Sequence, residues 1–302
     1  MKHLMKMLDL SSEEILEILD LADKLKFEIK NGIRHKILSG KTLGMIFQKS
    51  STRTRVSFET GMYQLGGHAL FLSSNDLQIG RGEETKDTAR VLSRYLDCIM
   101  IRTFDQEEVE TLASFGDIPI INGLTDFAHP CQVLADLQTI REYKRSFDGL
   151  KFCYIGDGNN MANSLVVGAL KVGMEVALAC PKGYEPDQKV LKFASNYPCF
   201  TLTTESSEAA SGADVIYTDV WSSMGQENES NERKNIFAGK YQINKELMDV
   251  AHADAMVLHC LPAHRGEEIT NEVLEQHADE IFDEAENRLH AQKAVMVKLM
   301  KK

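Results

Sequence analysis

A run of six polar residues at a strand–helix junction constrains the fold of this chain more than any other feature. Residues 50–55 read S-S-T-R-T-R. The apolar residues at 43–47 predict a buried strand before the run, and apolar residues spaced three and four apart across 56–65 predict a helix after it. The hexamer therefore lies where a strand ends and a helix begins, which is typical of a fold that alternates the two.

The hexamer combines four hydroxyls with two guanidinium groups. A helix N-terminus presents unpaired N–H groups and partial positive charge, and both favour an anion. Hydroxyls add hydrogen-bond donors, and arginine can bind phosphate oxygens in a bidentate manner. The alternative is an ordinary Ser/Thr N-cap followed by two solvated arginines. Six such residues at one junction favour the phosphate site.

The size and charge of the chain limit its partners. Its 302 residues are enough for a large core and for two domains. The formal net charge of −11 argues against nucleic acid or an anionic membrane as a partner. An anionic substrate would therefore need a local positive site, which the arginines of the hexamer could supply.

Cysteine spacing and hydropathy indicate where the protein resides. The six cysteines are scattered singly, without a C-x-x-C pair. In a chain of this length the pattern indicates free thiols in a reducing compartment. Residues 1–15 lack the apolar core of a secretory leader, and no apolar run is long enough to span a bilayer. We expect a cytoplasmic protein.

Strand and helix patterns alternate along both halves of the chain, which predicts an α/β protein with parallel sheets flanked by helices. Polar residues at 145–149 form the candidate boundary between two domains. The polar stretches 73–85 and 222–235 predict loops, the second a mobile surface loop. The apolar patterns predict strands at 43–47, 69–72, 98–101, 119–121, 152–156, 174–179, 213–217 and 255–258, and helices at 12–31, 86–95, 107–115, 129–144 and 284–301.

Three ligand motifs are incomplete in this chain. S-G-K-T at 39–42 resembles the end of a P-loop, but His35 replaces the required glycine and a strand follows. G-D-G-N-N-M at 156–161 lacks the third glycine of a dinucleotide site, and the next strand does not end in an acidic residue. The histidines and cysteine of 259–264 lack a second cluster that would complete a metal site. We therefore expect no nicotinamide cofactor, no metal and no other cofactor.

Three further segments place reactive side chains at the ends of predicted elements. H-P-C-Q at 129–132 opens a helix, where His and Gln can donate to a carbonyl or an anion. D-V-W at 219–221 and H-C-L-P at 259–262 place a carboxylate and a thiol at the carboxyl ends of strands, where α/β folds bind ligands. Each segment alone has a plainer interpretation, namely a helix start, a solvated turn or a core cysteine.

Four signatures taken together resemble those of the aspartate/ornithine carbamoyltransferase family. They are F-Q-K-S-S-T-R-T-R, H-P-C-Q, D-V-W followed by S-M-G, and H-C-L-P, and they occur in the family's order across nearly the whole chain. The resemblance implies two Rossmann-like domains in the carbamoyltransferase architecture. Residues 1–145 would bind carbamoyl phosphate, with the C-terminal helix at 285–302 packing back on them, and residues 150–284 would bind ornithine.

The resemblance also implies a role for each matching residue. Carbamoyl phosphate would be bound by Ser51, Thr52, Arg53, Thr54, Gln78, Arg102, His129, Gln132, Cys260, Leu261 and Arg288. Gln78 would reach the site of a neighbouring subunit. Ornithine would be bound by Asn160, Asp219, Ser223 and Met224. The catalytic residues would be Cys260, Asp219, Arg102 and His129.

The implied reaction transfers the carbamoyl group of carbamoyl phosphate to the side-chain amine of ornithine, giving citrulline and phosphate in arginine metabolism. The resemblance also implies a homotrimer with shared active sites.

Another acceptor, such as putrescine or an acylated ornithine, is the alternative, although S-M-G and Asp219 favour a free α-amino acid. A non-catalytic binding protein of the same fold would not need Cys260 and Asp219 to handle protons. The sequence leaves open whether the protein makes or breaks down citrulline in the cell.

Overall fold

The computed structural model describes residues 1–222 and 230–301. Its contacts divide the chain into two compact units, Met1–Gln138 with Glu286–Lys302, and Thr139–Ala285. The strands are β1 (Thr42–Phe47), β2 (His68–Ser73), β3 (Cys98–Arg102), β4 (Ile120–Leu124), β5 (Lys151–Ile155), β6 (Glu175–Ala179), β7 (Phe200–Thr203), β8 (Val215–Thr218) and β9 (Met256–His259). The α-helices are α1 (Ser12–Lys30), α2 (Thr52–Gln64), α3 (Thr85–Leu92), α4 (Gln106–Phe115), α5 (Pro130–Lys144), α6 (Asn160–Lys171), α7 (Gln188–Ala194), α8 (Ser206–Ala210), α9 (Ser230–Phe237), α10 (Lys245–Met248), α11 (Asn271–Gln276) and α12 (Ala278–Met300). The domain boundary expected at 145–149 stays a prediction.

The first unit contains a parallel sheet with the strand order β2-β1-β3-β4. β1 and β3 are its central strands, and they are buried along nearly their whole length because their residues are mostly apolar. The register pairs Phe47 with Arg102, so the carboxyl ends of these two strands lie side by side. The hexamer that follows β1 and the arginine that ends β3 therefore share one edge of the sheet.

The second unit contains a parallel sheet with the strand order β7-β6-β5-β8-β9. The register pairs Thr218 with His259, which brings the carboxyl ends of β8 and β9 together. Asp219 and Cys260, each one residue beyond its strand, consequently lie at the edge where such sheets bind ligands. Two parallel sheets with flanking helices confirm the predicted α/β class.

The first long helix begins as its sequence predicts. The Ser11 side chain accepts a hydrogen bond from the Glu14 amide, and the Glu14 carboxylate accepts one from the Ser11 amide. This reciprocal capping box satisfies two amides that the helix itself leaves unpaired. Ile15, Ile18 and Leu19 are fully buried and attach the helix to the core of the first unit.

Three elements differ from the sequence predictions. Residues 230–235, expected in a mobile loop, belong to α9, a polar helix whose packed face comes from Arg233 and Phe237. The sequence does not predict β7, because this edge strand is short and half of its residues are exposed. α12 begins at Ala278, earlier than the expected 284, because charged residues at four of its first seven positions obscure the apolar pattern there.

The cysteines and helices bear on the expected cellular setting. All six cysteines are free, as their scattered spacing predicts. In the part of the chain that the structure describes, none of the helices combines the length and the apolar character needed to cross a membrane.

Candidate active site

Residues 51–55 of the hexamer form the N-cap and first turn of α2, which begins a few residues after β1. Ser51 is the N-cap, and its hydroxyl accepts a hydrogen bond from the Thr54 amide at 3.2 Å. Arg53 is half-buried, whereas Arg55 is exposed, bonds Glu59 at 3.0 Å and stacks over the Phe71 ring. The two arginines of the hexamer therefore differ: Arg53 belongs to the helix N-terminus, and Arg55 is part of the helix surface.

Arg288 of α12 connects the hexamer with the helix that H-P-C-Q opens. Its guanidinium donates to the Gln132 side-chain oxygen at 2.6 Å and to the Thr54 hydroxyl at 3.3 Å. It also donates twice to Gln292 of the same helix. Arg288 and Thr54 are 234 residues apart, yet both are almost fully buried in the first unit. Three predicted phosphate-site residues thus form one hydrogen-bonded group.

Arg102 and His129 add polar groups at the same sheet edge. Arg102 ends β3, its carbonyl accepts from the Gln48 amide at 2.9 Å, and its side chain is buried. His129 precedes α5 and is buried too. The pKa of His129 lies well below its ordinary value. Burial is the main cause, and the positive charges of Arg288, Arg102 and Arg53 add to it. The imidazole is therefore neutral at pH 7, so one of its nitrogens can donate a hydrogen bond.

Lys49 is a buried cation beside the hexamer that the sequence analysis did not single out. It forms an ion pair with Asp126, and its ammonium lies 4.2 Å from the centre of the Phe104 ring. Its position one residue before the hexamer is the signal that could have identified it. The pair ties the start of the hexamer to the loop between β4 and α5.

Gln78 is exposed, unlike the buried residues described above. It is exposed at the start of a short 3₁₀ helix, Gln78–Arg81, within the polar stretch 73–85. Its contribution to a neighbouring subunit's site stays a prediction.

In the second unit, Asp219 and Cys260 meet at the ends of β8 and β9. The Cys260 thiol donates to Oδ1 of Asp219 at 3.1 Å. The Val220 amide donates to the same oxygen at 2.8 Å. Asp219 is buried and Cys260 is partly exposed. A carboxylate next to a thiol at a ligand-binding sheet edge can accept and pass on a proton.

Asn159, which the sequence analysis did not select, holds the other oxygen of this carboxylate. Its side-chain amide donates to Oδ2 of Asp219 at 2.8 Å. Its side-chain oxygen caps α6 by accepting from the amides of Met161 and Ala162. Asn160, the predicted ornithine ligand, is the first residue of α6. Asn159 therefore has two roles: it orients Asp219, and it caps the helix whose first residue is Asn160.

His259 positions the chain around Cys260, a role that the sequence did not indicate. Its Nδ1 accepts a hydrogen bond from the Leu261 amide at 2.9 Å, so Nε2 carries the proton and donates to Glu268 at 3.0 Å. Both side chains are fully buried. Leu261 has a φ of 55°, a left-handed conformation that side chains rarely adopt. The hydrogen bond that the Leu261 amide donates to His259 holds this strained residue in place.

The structure also places three metal-ligating side chains near each other. One ligand atom from each of Asp219, His259 and Cys260 lies within 4.8 Å of the other two. Both nitrogens of His259 are already bonded, to the Leu261 amide and to Glu268. A metal would have to displace one of these bonds, so the expectation of a metal-free site stays a prediction supported by this geometry.

The predicted residues thus fall into two groups, one in each unit. The first unit brings together the hexamer, Arg102, His129, Gln132 and Arg288, and the second brings together Asn160, Asp219 and Cys260, with Leu261 next in the chain. Ser223 and Met224 lie outside the described residues.

Models of two protein-family domains match the chain. The description of the first is "Aspartate/ornithine carbamoyltransferase, carbamoyl-P binding domain", and it covers residues 2–142. The description of the second is "Aspartate/ornithine carbamoyltransferase, Asp/Orn binding domain", and it covers residues 148–299.

Known proteins resemble the chain over its full length. An ornithine carbamoyltransferase of Carboxydothermus hydrogenoformans is 57% identical, and the match covers 99% of this chain and 97% of that protein. The structure of ornithine carbamoyltransferase from Pyrococcus furiosus superposes with a TM-score of 0.94 at 52% identity, covering 99% of this chain and 97% of the other. An anabolic ornithine carbamoyltransferase from Campylobacter jejuni gives 0.93 at 43% identity, with 99% of both chains covered. This chain belongs to the aspartate/ornithine carbamoyltransferase family.

Proposed function

We propose that this protein transfers the carbamoyl group of carbamoyl phosphate to the side-chain amine of L-ornithine, giving L-citrulline and phosphate. One observation carries the proposal: each half of the chain matches one of the family's two substrate-binding domains, the first for carbamoyl phosphate and the second for the amino acid. The full-length likeness to proteins named ornithine carbamoyltransferase favours ornithine over putrescine as the acceptor.

The first unit supplies what carbamoyl phosphate requires. The N-terminal amides of α2, Arg53 and the hydroxyls of Ser51, Thr52 and Thr54 suit the phosphate, because they offer many donors and positive charge. Arg102 and the neutral His129 suit the carbamoyl oxygen. Negative charge develops on this oxygen during the attack, and each well-placed donor typically lowers the barrier by about 3 kcal/mol.

The second unit supplies what the acceptor requires. The side-chain amine of ornithine resembles lysine, with a pKa of about 10 in water, so it arrives as an unreactive ammonium ion. Asp219 and Cys260 are bonded to each other and can accept its proton. Asn160, and Ser223 and Met224 beyond the described residues, are the further proposed ligands of the amino acid.

The chemical step then needs no cofactor. The deprotonated nitrogen attacks the carbamoyl carbon, a C–N bond forms, and the bond from that carbon to the phosphate oxygen breaks. The nitrogen's remaining excess proton leaves through the acid–base groups, and phosphate departs with the bonding electrons. Arg53 and the helix N-terminus stabilise the charge that collects on the leaving phosphate.

We also propose a homotrimer with shared active sites, a role in arginine biosynthesis and a cytoplasmic location. The exposed position of Gln78 is compatible with a contribution to a neighbouring subunit. The six free cysteines favour a reducing compartment. The biosynthetic direction is supported by the likeness to the Campylobacter jejuni enzyme, which is described as anabolic.

The test is a citrulline-formation assay with carbamoyl phosphate and four separate acceptors: ornithine, putrescine, N-acetylornithine and aspartate. We expect turnover with ornithine to exceed that with each other amine by at least about 100-fold. A preference for putrescine would support the alternative acceptor. Absence of carbamoyl transfer to all four would refute the proposed activity.

The two arginines of the hexamer provide a matched pair for the phosphate site. Arg53→Ala should nearly abolish turnover and weaken carbamoyl-phosphate binding, because the group at the helix N-terminus is lost. Arg55→Ala should leave both close to wild type, because Arg55 bonds Glu59 on the exposed helix surface. Equal losses in the two variants would contradict the assignment of Arg53.

A further inference from the structure

Arg233 is a buried arginine that lies outside the predicted substrate residues. It belongs to α9, and only 7% of its surface is exposed. One nitrogen of its guanidinium, Nη1, donates to Oδ2 of Asp157 at 2.8 Å and to the Trp221 carbonyl at 3.1 Å. Desolvating an arginine costs free energy, so its burial at this position needs a structural or functional reason.

The first partner lies in the turn that leads from β5 to Asn159. Gly156 in this turn has a φ of 144°, and a side chain on Gly158 would come within 2.4 Å of main-chain atoms of Tyr184 and Pro186. The incomplete dinucleotide motif G-D-G-N therefore has a different purpose: its glycines allow a tightly packed turn. Asn159 leaves this turn and donates to Asp219.

The second partner lies two residues after Asp219. The Trp221 ring stacks on Phe237 with ring centres 5.8 Å apart, and Phe237 lies one helical turn after Arg233. The guanidinium of Arg233 lies 5.0 Å from the centre of the Tyr184 ring. Arg233 thus contacts two segments that flank the Asp219 carboxylate. One is the turn that carries Asn159, the hydrogen-bond partner of Asp219, and the other is the main chain at Trp221.

We propose that Arg233 and Asp157 are positioning residues for the amino-acid substrate. The pair holds Asn159 and Trp221 at a fixed separation, and this fixes the orientation of Asp219 relative to Cys260. The inference rests on the proposed function and deepens it, because it identifies what aligns the acceptor side of that site. A pair that only stabilised the fold would have no separate effect on ornithine.

Three variants distinguish a positioning role of this pair from a purely stabilising one: Asp157→Asn, Arg233→Gln and the double variant that combines them. Each single change leaves a buried group without its charged partner and should lower the melting temperature strongly. The double change leaves neither charge and should return the melting temperature to within about 5 °C of wild type. The positioning role predicts that the double variant still has an ornithine KM raised about tenfold or more, with the carbamoyl-phosphate KM within about twofold.

Two further variants sharpen the comparison. Arg233→Lys keeps the charge but not the planar fork, so it should fold and recover only part of the ornithine affinity. Lys234→Gln changes the next residue, which is exposed, and should leave both KM values unchanged.

The outcomes separate the two proposals. A double variant that recovers both the melting temperature and the ornithine KM would overturn the positioning role and leave the proposed function intact. Equal rises in the two KM values would overturn it as well. A wild-type protein that makes no citrulline would refute the proposed function itself, and the positioning role with it.

Discussion

The Cys260 thiol donates a hydrogen bond to the Asp219 carboxylate across 3.1 Å, although 41 positions separate the two residues in the sequence. The contact arises because β8 and β9 are neighbours in a parallel sheet and end at the same level. The Val220 amide donates to the same carboxylate oxygen, and the Asn159 side chain donates to the other one. The carboxylate is therefore oriented before a substrate arrives, which lowers the cost of using it in a reaction.

Asp219→Asn should lower kcat/KM for ornithine by at least about 100-fold, because an amide of the same shape cannot accept the proton of the amine. Binding of carbamoyl phosphate, measured directly by calorimetry, should change little. The control is Asp249→Asn, which alters an exposed carboxylate in the same unit and should have no effect. Near-wild-type turnover by Asp219→Asn would show that the proton leaves by another route.

Arg288→Lys should raise the KM for carbamoyl phosphate by about tenfold, the equivalent of one charge-assisted hydrogen bond. A lysine cannot reach Gln132 and Thr54 together, because it lacks the guanidinium fork. The ornithine KM should stay near wild type in steady-state assays. Lys298→Gln, an exposed position on the same helix, serves as the control. An unchanged KM for carbamoyl phosphate would contradict the role of Arg288.

His290 should make the protein less stable in acid. Burial, despite the bond to Glu286, lowers the pKa of this histidine to about 4. The unfolded chain titrates near 6.5, so between these values the unfolded state binds the extra proton. The free energy of unfolding should therefore fall as the pH drops from about 6.5 towards 4, with this group contributing up to about 3 kcal/mol.

Urea unfolding at pH 7 and pH 5 measures this dependence. His290→Gln should show a smaller loss between the two pH values than wild type, since glutamine does not titrate. His68→Gln changes an exposed histidine and should behave as wild type. Identical losses in wild type and His290→Gln would rule out this source of acid sensitivity.

Gly158→Ala should destabilise the protein by about 3 kcal/mol, because the added methyl group would overlap main-chain atoms of Glu185 and Pro186. Gly173→Ala is the informative comparison. Gly173 has a φ of 92° but open space around it, so alanine there should cost only about 1 kcal/mol of backbone strain. Equal losses in urea unfolding would show that the turn can relax around a side chain.

Local patterns in the sequence were sufficient to predict the α/β class and most of the elements. Buried parallel strands are continuous apolar runs, and the capping box at Ser11 and Glu14 marks a helix start, so both can be recognised without knowing the fold. Such patterns fail where burial is slight. The edge strand β7 has exposed residues, and α9 buries chiefly one arginine and one phenylalanine, so neither has a clear apolar period.

The sequence by itself determined which residue types stand at the ends of the strands: the hexamer after β1, Arg102 in β3, Asp219 after β8 and Cys260 after β9. Only the tertiary structure decided which side chains meet. Asn159 with Asp219, Arg233 with Asp157, and Arg288 with Gln132 are 60, 76 and 156 positions apart. Their pairing depends on strand order and on the path of each connection. A local pattern has no information about either, because its reach is only a few residues along the chain.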